Sequence, residues 1–156
     1  MRLLVTRAEP EAGRLAAELR ALGQEPVLQP LLEFRRLDFD PAQLKTAGAL
    51  IFTSGNALRA LEEKPLNGAA DTPAFCVGGE TARRAMRAGF QVAATAGTAA
   101  ELVPKIVSLA GKAANIVHVT GEHQAFDLSK ALSGEGLSLN TLCVYRMKAR
   151  APRSCW

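Results

Sequence analysis

The chain has 156 residues, 48% hydrophobic and 22% charged, with a formal net charge of +4. That composition is ordinary for a soluble protein and supports one sizeable core, or one domain plus part of a second. The Lys and Arg residues are scattered, and one Trp, one Tyr and six Phe give little aromatic interleaving, so a nucleic-acid partner is not expected. No run reaches the length of a membrane span, and the apolar stretch in "MRLLVTRAEP" is too short for a signal peptide, so no membrane partner is expected either. Cys76, Cys143 and Cys155 form no CxxC pair, which fits free thiols in a reducing cytoplasm.

In chain order, "RLLVTR" reads as a short buried strand. A helix follows with Leu15, Leu19 and Leu22 on one face and Gly23 ending it. "EPVLQP" is a second strand, and "LLEFRRLDF" looks extended. "DPAQLKTAG" predicts a short helix capped by Asp40, with Pro41 at its first position. A regular series then begins: strand 49–52 and helix 55–63, strand 74–77 and helix 80–88, strand 91–94 and helix 98–109, strand 115–119 and helix 123–133, and a last strand 139–145. Such alternation predicts an α/β domain, a parallel flavodoxin-like sheet with helices on both faces over residues 36–146. Residues 1–35 supply strand, helix, strand and a linker-like piece, too little for a core of their own. The aperiodic tail 147–156 is expected to be disordered.

Four strand ends share a chemistry: "FTSGNA", "VGGETA", "AGTAAE" and "VTGEHQ". Each offers Gly, Ser or Thr where a helix starts, and in a parallel sheet all lie along one edge, where ligands bind. Capping explains any single motif. Four together could converge N–H groups on an anion. "VGGETA" is not GxGxxG, and no GxxxxGK[ST] occurs, which disfavours dinucleotide and P-loop sites. No metal site is expected. His118 is expected as a core or sheet residue and His123 as an early-helix surface residue. Tyr145, the sole tyrosine, is either an aromatic edge residue or a phenol aimed into the cleft.

The stretches "LLVTRAEPEAGRLAAELRALGQEPVLQPLLEF", "LIFTSGNALRAL", "FCVGGETARRAMRAGF", "GTAAELV" and "LCVYR", in this order, resemble the uroporphyrinogen-III synthase family from Met1 to about Arg146. The resemblance implies a cytoplasmic, cofactor-free lyase. Such enzymes take the linear tetrapyrrole hydroxymethylbilane, remove water, invert ring D and close uroporphyrinogen III. It implies Tyr145 as the group that hydrogen-bonds the departing hydroxyl. It also implies Thr53, Ser54, Asn56, Gly78, Gly79 and Thr81 as cleft-lining, with Thr98, Thr120 and Gly121 as further candidates and Thr6 and Arg7 approaching from the other domain. The chemistry it implies is an azafulvene formed by loss of hydroxide, then a spiro intermediate, with conformational restraint deciding the isomer.

The family has two α/β domains joined by a two-stranded linker, and the chain returns from the second to finish the first. Here that return is not seen after "VYRMKARAP". The expectation is therefore a complete second domain at 36–146, an incomplete first domain opened by 1–35, and little synthase activity from this chain by itself. Exposed Leu3, Val5 and Val27 lead to an expectation of self-association through residues 1–35. The alternative function is a flavodoxin-like module that binds a small anion without turnover, which would carry a bound flavin or nucleotide.

Overall fold

The computed structural model describes residues 1–62, 69–111 and 115–152. Residue 63 at the end of one expected helix, residues 153–156 of the expected disordered tail, and Cys155 lie outside them. The chain forms two compact units, Met1–Arg35 with the segment from Arg146 onward, and Arg36–Tyr145.

In the first unit, β1 (Arg2–Val5) is followed by α1 (Glu11–Ala21) and β2 (Glu25–Leu28), and then β3 (Leu32–Arg36) starts. β1 and β2 pair in parallel, from Arg2 opposite Glu25 to Val5 opposite Leu28. Small residues let the crossover helix sit close: Ala12 and Ala16 are fully buried. Leu22, expected on the apolar face of that helix, falls just past its end and is 73% exposed. Val5, expected to be exposed, is buried at 3%, whereas Leu4 and Leu28 lie open. Leu3 and Val5 share a strand face by the two-residue alternation, and that face is the covered one.

The second unit contains α2 (Ala42–Lys45), β4 (Ala49–Phe52), α3 (Gly55–Leu61), β5 (Pro73–Val77), α4 (Gly79–Arg87), β6 (Gln91–Ala96), α5 (Ala99–Leu109), β7 (Ile116–Gly121) and α6 (Leu128–Gly134). The strand β8 (Leu139–Ala149) closes the series. The sheet runs β3-β8-β7-β4-β5-β6, and the pairings of β7 with β8, β4 with β7, β4 with β5 and β5 with β6 are parallel. The expected parallel α/β sheet is present. Its order is not the flavodoxin 2-1-3-4-5: counting β4 to β8 as one to five gives 3-2-1-4-5. The direction of propagation therefore reverses between β4 and β7, and that pair is the topological switch point.

Side-chain alternation divides the sheet into two faces. Ala49, Ile51, Phe75 and Ile116 point to one, where Leu102 and Ile106 of α5 and Leu128 and Leu132 of α6 complete a buried core. Leu50 and Phe52 point to the other, where the Phe52 ring meets Phe90, just after α4, at 5.2 Å. β4 and β7 are buried throughout, as central strands covered on both faces must be.

Two element boundaries differ most from expectation. The last helix starts at Leu128, not at 123, because the Asp127 carboxylate accepts the Lys130 N–H at 2.9 Å and caps the helix there. The strand expected to end at 145 continues to Ala149, so Met147–Ala149 are strand and not disordered tail. The neighbouring strand β3 supplies its ladder partners, and past its end the Arg150 N–H still donates to the Leu31 carbonyl at 2.9 Å.

Candidate functional site

A cavity of about 410 Å³ opens at the carboxyl rim of the second unit's sheet, at the switch point. Thr53, Val77, His118 and Thr120 carry the core-facing alternation of Ile51, Phe75 and Ile116 two or four residues further along their strands. They are therefore the upward continuation of the face that α5 and α6 cover. Below, the side chains are aliphatic and aromatic and the face is packed. Above, they become hydroxyls and an imidazole, and the face stays open. Thr98, Ala99 and Ala100 at the start of α5 form one wall, and His123, Gln124, Ala125 and Phe126 in the loop before α6 form another. Among the described residues the lining contains no Asp, Glu, Lys or Arg.

Capping and cavity lining coexist at two of the predicted motifs. Ser54 caps α3, its Oγ accepting the Asn56 N–H at 3.2 Å. Thr98 caps α5, its Oγ1 accepting the Glu101 N–H at 3.2 Å, while the Glu101 carboxylate accepts the Gly97 N–H at 3.1 Å. The N–H groups of Ala99 and Ala100, in the first turn, have no intrahelical carbonyl to reach, and both residues line the cavity.

Tyr145 sits opposite Gly121 across a register shift between β7 and β8. Its ring lies against that glycine: a Cβ added to Gly121 would fall 2.6 Å from Tyr145 Cζ. The absent side chain is what lets the phenol reach the cavity it lines. Tyr145 is 9% exposed.

Thr53, Ser54, Thr98, Thr120 and Tyr145 are thus brought together, with Gly121 behind the tyrosine. Asn56, Gly78, Gly79 and Thr81 do not line the cavity. Gly78 and Gly79 open α4, which belongs with β5, β6 and α3 on the opposite face of the sheet, and Thr81 is buried at 7% within it. Gly78 has φ +84 and donates its N–H to the Ala96 carbonyl at 2.8 Å, a turn that only glycine adopts without strain. Thr6 and Arg7 are exposed residues of the first unit.

Sequence reasoning missed His118 and His123. His118 is indeed buried on β7, at 1% exposure, but its Nε2 lies 3.0 Å from Thr53 Oγ1 and it belongs to the cavity floor. Burial pushes its pKa from the ordinary 6.5 down to about 4, so the imidazole is neutral at physiological pH. His123 is in the loop, not on a helix. The signal that would have placed it there is Asp127 followed by the Leu128–Leu132 spacing, a capped start five residues later than expected. Burial also pushes the Cys76 thiol up to about 11, leaving it an inert core residue. Among the described residues no group of three or more His, Cys, Asp or Glu could hold a metal ion, and no helix is long and apolar enough to cross a membrane.

A family model of uroporphyrinogen-III synthase HemD matches residues 13–154. Crystal structures give the same fold. A mutant uroporphyrinogen III synthase from the extremely thermophilic bacterium Thermus thermophilus superposes with a TM-score of 0.68 at 20% identity, covering 96% of this chain and 64% of that one. The uroporphyrinogen-III synthetase of Helicobacter pylori gives 0.61 at 22% identity, covering 97% and 64%. The chain thus spans about 64% of the length of the solved structures it matches. No curated protein sequence matches it significantly.

Proposed function

The chain belongs to the uroporphyrinogen-III synthase family, and from that premise we propose that its cavity holds part of hydroxymethylbilane during closure to uroporphyrinogen III. The observation that carries this reading is a cavity at the switch point, rimmed by five hydroxyls and the start of an eleven-residue helix. Carboxylate arms are acceptors, and this rim offers donors: the hydroxyls of Thr53, Ser54, Thr98, Thr120 and Tyr145, and the first-turn N–H groups of α5. About 410 Å³ falls within the usual range for small-molecule sites, roughly 300–1,000 Å³, and suits a terminal pyrrole with its acetate and propionate rather than a whole tetrapyrrole.

The reaction asks little of a nucleophile. The pyrrole nitrogen's electrons expel the hydroxyl, breaking the C–O bond, and the Tyr145 phenol stabilises the departing group by a hydrogen bond. The substituted carbon of ring D attacks the azafulvene carbon to give a spiro intermediate; its bond to the ring C bridge then breaks, the bridge carbon rebonds to the free α-carbon of ring D, and that carbon loses its proton, so that with the hydroxide already expelled the net loss is water. Restraint of the chain decides between inversion and simple closure, so positioning supplies the selectivity. The enzyme works in the cytoplasm, where Cys76 and Cys143 stay as free thiols.

The test is a ¹⁵N NMR titration of this chain with uroporphyrinogen III kept reduced. Saturable shifts at Thr53, Thr98, Thr120 and Gly121 are expected. Shifts confined to other surfaces, or none, would remove the reading.

The first unit has a further property. Leu4, Leu22, Leu28, Leu31 and Leu32 are each at least 40% exposed around a two-stranded sheet, an apolar surface of the kind that seeks a partner. Self-association through residues 1–35 is expected, giving a mass by light scattering that rises with concentration. A monomer mass that stays constant across the range would refute it.

A further inference from the structure

His118 occupies a place where the fold wants an aliphatic residue. It lies mid-strand on β7 with Ile51 and Thr141 as register neighbours, between Val117 and Val119. Burying an imidazole there is costly unless it is hydrogen-bonded. One nitrogen is satisfied: Nε2 lies 3.0 Å from Thr53 Oγ1. The other, Nδ1, is shielded from solvent and has no hydrogen-bond partner among the described residues.

This asymmetry selects a tautomer. A neutral imidazole has one N–H and one lone pair. If Thr53 donated to Nε2, the proton would sit on Nδ1 as a buried orphan donor. If Nε2 donates to Thr53, the orphan at Nδ1 is only a lone pair. Orphaned buried N–H groups are the rarer and costlier case, so the second arrangement is favoured. Thr53 Oγ1 then accepts, and its single hydrogen is released from the protein interior toward the cavity that Thr53 lines.

We propose that His118 is a positioning residue: its Nε2–H holds Thr53 Oγ1 from below and leaves the Thr53 O–H free to donate to an anionic oxygen in the cavity. The polarity of the pair follows from this chain's geometry. The identity of the oxygen, a carboxylate arm of a porphyrinogen, rests on the functional reading above. A site so built favours ligand acceptors at this point, since a ligand donor finds only the remaining lone pair of Thr53 Oγ1.

Two measurements separate the geometry from the ligand. Long-range ¹⁵N–¹H spectra of the imidazole in the ligand-free chain are expected to show the proton of His118 on Nε2, and Thr53→Val is expected to perturb that signal. A proton on Nδ1 would overturn the proposal whether or not any porphyrinogen binds. The affinity for uroporphyrinogen III gives the second readout. Thr53→Val and His118→Leu should each weaken it roughly tenfold, and the double variant no further, since both remove one oriented donor. His118→Gln, whose amide Nε2 can still donate to Thr53, should recover most of the loss. Independent, multiplying losses in the double variant, or an unchanged affinity in His118→Leu, would refute the role. A wild-type chain without affinity for uroporphyrinogen III would defeat the ligand assignment and the functional reading, while the tautomer still decides the polarity of the pair.

Discussion

Gly121→Ala is expected to destabilise the chain by about 1–3 kcal/mol and to weaken porphyrinogen binding at least roughly tenfold, although it adds a single methyl group. The new Cβ would lie 2.6 Å from Tyr145 Cζ and 2.8 Å from Cε2, closer than any real Cβ contact. Gly121 is on a central strand that is buried throughout, so its backbone has little room to withdraw. The ring must therefore move, and with it the phenol oxygen at the cavity. Urea denaturation reads the stability and a uroporphyrinogen III titration reads the site. Tyr145→Phe is the companion variant. It keeps the ring against Gly121, and in a chain with synthase activity it should lower the rate markedly by removing the donor proposed for the departing hydroxyl. An alanine at position 121 that left both stability and binding unchanged would mean the ring's placement is unimportant.

The parts of this molecule that were readable from sequence are those set by local pattern. "GALIF" and "NIVHV" read as buried strands because a central parallel strand has no polar face to show. The helices after them followed from apolar spacing and from caps at Ser54 and Thr98. Strand order is a different kind of fact. It depends on which side of the sheet each crossover leaves, and "VGGETA" and "AGTAAE" look alike in that respect. Yet α4 covers one face and α5 the other, so Gly78, Gly79 and Thr81 part company with Thr98, and only Thr98 reaches the cavity. Similarly, the Tyr145–Gly121 contact joins two motifs 24 residues apart in sequence through a register shift that no spacing announces. His118 was readable as buried, but its bond to Thr53 spans 65 positions and needed the β4–β7 pairing to appear.

That buried imidazole has a second consequence, in acid. In the unfolded chain His118 takes up a proton near its ordinary value of 6.5, whereas in the folded chain burial holds it unprotonated down to about 4. Between these values the unfolded state binds more protons than the folded one, so stability must fall as pH drops through that window and level off, for this group, below it. At 1.36 kcal/mol per pH unit the full loss comes to about 3 kcal/mol, a large share of the 5–15 kcal/mol typical of a domain. Hydrogen bonds from Arg83 and Arg84 hold Glu80 below its usual range, so its contribution persists further into acid before it too is lost. A comparison with His118→Gln isolates the histidine, because every other group is shared. Urea midpoints measured at about pH 7 and about pH 4.5 should lie closer together in the variant than in the parent. Equal pH slopes in the two proteins would mean that water or a local opening relieves the imidazole, and that Nδ1 is not sealed away from solvent.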